Sequence, residues 1–108
     1  MSIELPLPID LYVRAENLGD TQLLSECFAP DAMVHDEGHT YSGLAAIQKW
    51  KAETKRKYRH TVEPLAIAHR DGRTILTAKV AGNFPGSPVT LEFRFTLDGE
   101  KIVALDIG

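Results

Sequence analysis

Two side chains in the first third of this chain have types suited to proton chemistry, the phenol of Tyr12 and the carboxyl of Asp36. Asp36 ends the stretch Ala32-Met33-Val34-His35-Asp36, where strand alternation gives it the parity of Val34. A carboxyl directed into an apolar pocket has its pKa raised by desolvation and serves as a base near neutral pH. A second reading makes Asp36 a cap on the turn before Gly38 or a solvent-facing group. Met33 is also apolar, so the alternation leaves the choice of face open. Tyr12 lies among Leu11, Ala15 and Leu18 at helical spacing. A buried phenol needs a partner. A substrate oxygen, Asp36 or a backbone carbonyl would each serve, and plain core packing is the alternative.

Other chemistry is less well supported. His35, Asp36, Glu37 and His39 form the only dense set of metal-type ligands, but without a recognised spacing. A solvated edge is expected, with His35 or His39 as a second polar group at a pocket mouth, and no metal. The basic run Lys49 to Arg59 contains Glu53 and reads as a solvated helix face. Ser25, Ser42 and Ser87 lack the surroundings of a nucleophile elbow, and no phosphate-binding glycine loop is present. Cys27, the single cysteine, is flanked at helical spacing by Leu23, Leu24 and Phe28 and reads as a buried structural thiol. His60 and His69 are expected at the surface or at a subunit contact.

These groups must be positioned by local structure. Pro6 and Pro8 suit the first turn of a helix that carries Leu11, Tyr12, Ala15 and Leu18 on one face. Asn17-Leu18-Gly19 stops it, and Asp20 caps a second short helix through about Phe28. Ala32–Asp36 and His39–Tyr41 read as short strands. A third helix runs from Leu44 to Tyr58, with Leu44, Ile47, Trp50, Thr54 and Tyr58 as its semi-apolar stripe. Four strands follow: Thr61–His69, Thr74–Gly82, Val89–Leu97 and Lys101–Ile107. The first two meet at Asp71-Gly72, a hairpin signal. Val89, Leu91, Phe93, Phe95 and Leu97 alternate with polar residues, the clearest period of two in the chain.

At 108 residues, with 44% hydrophobic and 25% charged, residues 1–108 make one ordinary domain with room for one core and one pocket. The net charge of -3 gives no general attraction to nucleic acid or anionic membrane. No apolar run approaches the ~20 residues of a membrane span. A cytoplasmic location without a signal peptide is expected.

Tyr12 to Asp20, then Phe28 to Asp36, then Gly43 before a helix, resemble the nuclear-transport-factor-2-like superfamily, with its SnoaL-like and ketosteroid-isomerase-like domains. Phe84 to Leu97 and Gly99 to Ile107 resemble its final strands. The resemblance implies a cone-shaped two-layer α+β domain, related to the cystatin fold. Three helices from the first half would pack on a curved antiparallel sheet and enclose a pocket. The superfamily includes isomerases, polyketide cyclases, dehydratases, epoxide hydrolases and proteins that only bind a partner, so fold alone does not choose a function. In its ketosteroid isomerases a first-helix tyrosine donates a hydrogen bond and an aspartate ending the following strand is the base. The resemblance thus implies Asp36 as base and Tyr12 as donor. The second isomerase donor, a late-strand aspartate, has its place at Phe93, which cannot donate; a poor steroid isomerase is expected.

The expected pocket is lined by Tyr12, Val34, Asp36, Trp50, Leu91, Phe93, Leu105 and Ile107 and binds an apolar small molecule. The implied reaction is isomerase-, cyclase- or dehydratase-like proton transfer beside a carbonyl, without a cofactor. The alternative is a non-catalytic module binding a ligand or protein. A homodimer is expected through the convex sheet face carrying Arg94, Thr96 and Asp106, with no nucleic-acid or membrane partner.

Overall fold

A computed structural model describes residues 3–108. The chain runs α1 (Leu7–Leu18), α2 (Leu24–Cys27), β1 (Phe28–Asp36), β2 (His39–Ser42), α3 (Leu44–Tyr58), β3 (Thr61–Arg70), β4 (Arg73–Ala81), β5 (Val89–Asp98) and β6 (Lys101–Ile107). The six strands form one sheet in the order β2-β1-β6-β5-β4-β3. Three helices on a curved sheet are the architecture anticipated from the sequence.

The sheet is mixed, not wholly antiparallel: β1 and β6 run parallel. Consecutive strands joined by turns are antiparallel, as their short connections require. That rule does not reach β1 and β6, between which the chain passes through α3 and four strands. The second helix is also shorter than expected. Thr21–Leu23 form turns instead, and Asp20 Oδ1 accepts from the Gln22 amide at 3.0 Å. β1 starts early, at Phe28, and its pairing with β6 is irregular between Phe28 and Met33. Pro30 in that stretch has no N–H to give a ladder.

Where local signals were strong they held. Gly19 ends α1 at φ 68°, a left-handed conformation that glycine adopts without strain. Asp71 and Gly72, both at positive φ, form the two-residue turn between β3 and β4. The face of β1 is settled as well: Val34 is 0% exposed and Met33 40%. Val34 and Asp36 therefore point to the helix side of the sheet.

The buried face of α1 is rotated from the expected one. It consists of Ile9, Tyr12, Val13, Ala15 and Glu16, while Leu18 is 72% exposed. Tyr12 is the centre of the core, edge-on to Phe28 and Phe95 with ring centroids 5.9 and 5.4 Å away. On the outer face, Arg94, Thr96 and Asp106 are half-buried, and Arg73 pairs with Asp106 at 3.7 Å. No helix among the described residues is long and apolar enough to cross a membrane.

Candidate functional site

Sheet register builds the site in rows. Asp36 pairs with Ile107, Ile107 with Phe93, and Phe93 with Leu76. One step deeper, Val34 pairs with Leu105 and Leu105 with Phe95. Both rows face the helices. Tyr12 covers Phe95 of the deeper row and also touches Phe93, while Asp36, Ile107 and Phe93 of the outer row form part of the wall of a cavity of about 740 Å³. This volume suits a small organic ligand.

Of the eight residues expected on its wall, Asp36, Trp50, Leu91, Phe93 and Ile107 are there. Tyr12, Val34 and Leu105 are not: all three are fully buried behind it. Alternation selects a face of the sheet, but it does not tell which part of that face a helix will fill. Phe93 faces the cavity and brings no donor to it.

The β1–β2 turn sets the position of Asp36. Glu37 and Gly38, at φ 52° and 78°, form a two-residue turn that leaves Asp36 paired with His39. Asp36 is half-buried, and among the described residues its carboxylate has no hydrogen-bond or ion-pair partner. Burial raises its pKa above the usual carboxylate value, and neighbouring Glu37 adds to this; the Lys51 ammonium opposes both. His39 lines the same cavity. His35 lies on the exposed side of the strand, 2.8 Å from Thr40 Oγ1.

Tyr12 does not bond to any of the partners considered from the sequence. Its hydroxyl donates to Glu16 Oε2 at 2.5 Å. Burial pushes the phenol pKa well above its usual value, and the Glu16 charge pushes it further. Glu16 in turn joins Lys51 Nζ at 2.9 Å and His60 Nε2 at 2.6 Å, both at Oε1. Burial alone would raise the Glu16 carboxyl, but the Lys51 ammonium and then His60 outweigh it and hold the pKa near 2. An ionised carboxylate only accepts, so His60 Nε2 carries the hydrogen. Among the described residues His60 Nδ1 is buried without a partner. Glu16, Lys51 and His60 all line the cavity.

Sequence reasoning missed this network. It assigned Lys51 to a solvated face and His60 to the surface or a subunit contact. Both are buried, because Glu16 occupies a core position of α1 and draws them in. The signal was present: Ile9, Tyr12, Val13 and Glu16 form a three-and-four spaced stripe, as do Ile47, Trp50, Lys51 and Thr54. A charge inside such a stripe marks a buried pair.

The chain's close approach at Gly82 holds His60 in place. A Cβ at Gly82 would meet the Tyr58 carbonyl oxygen at 2.8 Å and His60 Cα at 2.9 Å. Backbone cannot swing aside, so Gly82→Ala is expected to destabilise by about 1–3 kcal/mol. Urea unfolding checks this; an unchanged midpoint would show that the α3–β3 link gives way freely.

A model of the SnoaL-like domain family matches residues 9–105. The chain is similar to a candidate polyketide cyclase from Sinorhizobium meliloti, with a TM-score of 0.91 and 41% identity over 96% of this chain and 95% of that one. It is also similar to a hypothetical protein of ketosteroid-isomerase-like fold from Catenulispora acidiphila, solved with trimethylamine, at a TM-score of 0.84 and 20% identity over 97% and 86% of the two chains. A nuclear-transport-factor-2-like protein of unknown function from Cytophaga hutchinsonii superposes with a TM-score of 0.78 at 10% identity, over 100% and 93%. The last two likenesses show the fold alone. No match is found among curated proteins.

Proposed function

The chain belongs to the SnoaL-like domain family, and from that premise we propose that its cavity takes up a small carbonyl compound and that Asp36 moves a proton beside the carbonyl. One observation carries the reading: an unpaired, half-buried carboxylate stands at the end of the apolar row Ile107–Phe93 on the cavity wall. Such a carboxylate is desolvated enough to be basic and exposed enough to be reached. An Asp36 oxygen takes a hydrogen from the carbon next to the carbonyl. The C–H electron pair moves into the new C=C bond, and the carbonyl π pair moves to oxygen. The resulting enolate either recovers the proton from Asp36 at another carbon or attacks a second carbonyl carbon to close a ring, in which case that carbonyl's π pair moves to its oxygen and the alkoxide takes the proton back from Asp36. The likeness to a candidate polyketide cyclase supports the ring closure and a substrate with several carbonyls. Tyr12 keeps its hydroxyl on Glu16 and acts by holding that residue.

A non-catalytic binding module is the second reading, favoured by the occupied Tyr12 hydroxyl and the apolar Phe93. Proton–deuterium exchange distinguishes the two. With a slowly exchanging bicyclic ketone in deuterated buffer, the protein is expected to give saturable exchange above the buffer rate by NMR. Saturable binding without added exchange would establish the module.

A further inference from the structure

We propose that Lys51 is the group that receives the negative oxygen of the ligand, through ammonium protons that Glu16 leaves free. This rests on the cavity being a ligand site, as read above. Lysine is seldom buried unless paired, and the Lys51 side chain is only 8% exposed while lining the cavity with Asp36. An ammonium has three protons. Among the described residues the one oxygen that Lys51 Nζ meets is Glu16 Oε1, at 2.9 Å. The Trp50 ring beneath it, 3.8 Å from Nζ to centroid, offers a π face but no lone pair.

Glu16 does not use up the ammonium. Its charge is shared among three donors, Tyr12, His60 and Lys51. The same three fix it in place, so Nζ is held in position before any ligand arrives. Preorganised donors of this kind stabilise developing oxygen charge most in a site sheltered from water. Elsewhere on the wall Phe93, Leu91 and Ile107 have no donor, Thr54 gives its hydroxyl to the Trp50 carbonyl, and His39, Tyr41, Lys57 and Tyr58 are exposed or half-exposed, where water competes for their protons. The Asp36, Glu37 and Glu53 carboxylates repel an anion. A ligand with an enolate, phenolate or carboxylate oxygen therefore has Lys51 as its natural contact, with Asp36 bordering the same space. The substrate class is a compound whose oxygen becomes anionic as Asp36 takes its proton.

The test compares 2-naphthoate with 2-naphthamide, flat ligands of one shape that differ in charge, by Trp50 fluorescence at neutral pH. The Glu16→Gln/Lys51→Met double variant removes both charges, so the overall field of the cavity changes little. The ratio of naphthoate to naphthamide affinity is expected to fall about tenfold or more in this variant, the value of one charge-assisted hydrogen bond. A crystal structure of the unaltered protein with naphthoate provides a check that needs no variant, and should place the carboxylate against Lys51 Nζ. An unchanged ratio, or a carboxylate bound elsewhere in the cavity, overturns the role of Lys51 and leaves the ligand cavity standing. Failure of both ligands to bind the unaltered protein overturns the cavity reading and this proposal with it.

Discussion

Glu16→Gln is expected to destabilise the protein by about 3–5 kcal/mol, because it leaves the Lys51 ammonium buried without its counter-charge. The side chains concerned are almost completely buried, Glu16 at 2% exposure and Lys51 at 8%, so water in the cavity replaces only part of the lost interaction. The Glu16→Gln/Lys51→Met double variant should recover much of the loss, since neutral groups of similar size carry no charge to desolvate. Urea unfolding of the wild type, both single variants and the double variant measures this. A loss under 1 kcal/mol for Glu16→Gln would mean that water or backbone movement already screens the pair. The acid side follows from the same carboxylate. The Glu16 pKa is lowered from 4.5 to about 2 in the folded protein. Its contribution is thus fully present above about pH 4.5 and is lost as the pH falls towards 2. Acid unfolding should steepen within that window in the wild type and be flatter there in the double variant.

Asp36→Asn is expected to reduce catalysed exchange by about 100- to 10,000-fold, the usual contribution of a positioned general base. The fold should not suffer. A raised carboxyl pKa means that the native state binds the proton more tightly than the unfolded chain does. Asp36 therefore favours folding below its ordinary value of 3.8 and loses that effect as the pH rises through its folded value. At neutral pH its charge opposes folding, and asparagine removes the charge. Unchanged or higher thermal stability with exchange lost is the expected pair of results. The exchange rate of the wild type should also rise with pH through an inflection above 3.8. Full activity in Asp36→Asn would move the base elsewhere on the wall, with His39 the next group to test.

Much of this fold was legible because its signals are local. The alternation from Val89 to Leu97, the Asp71-Gly72 turn and the Gly19 stop each depend on a few neighbouring residues, and each appears where expected. The shared parity of Asp36 and Val34 was likewise readable from alternation, whereas apolar Met33 left their face open until the burial of Val34 settled it. The parallel pairing of β1 with β6 was not, since it joins residues about seventy positions apart and no turn specifies it. The depth of the cavity was lost for a related reason. Val34, Phe95 and Leu105 have the same parity as Asp36, Phe93 and Ile107, and alternation alone does not tell which row the helices fill. Glu16, Lys51 and His60 were overlooked because a charged residue in an apolar stripe reads as solvated until its partner is known, and the three lie on α1, on α3 and in the link just before β3.

The place of β6 between β1 and β5 has a consequence for how the molecule comes into being. Without those seven residues the backbone ladders fall into two unconnected pieces, the β1–β2 hairpin and the β5–β4–β3 meander. During synthesis both can form as soon as they emerge, but no backbone ladder joins them until Lys101–Ile107 leave the ribosome. Asp36 gains its wall partner Ile107 only at that last step. The closing contacts join residues more than seventy positions apart, so they carry a large loop-closure entropy. A nascent chain arrested before residue 101 holds the candidate base on a loose hairpin, and the cavity is completed together with the sheet.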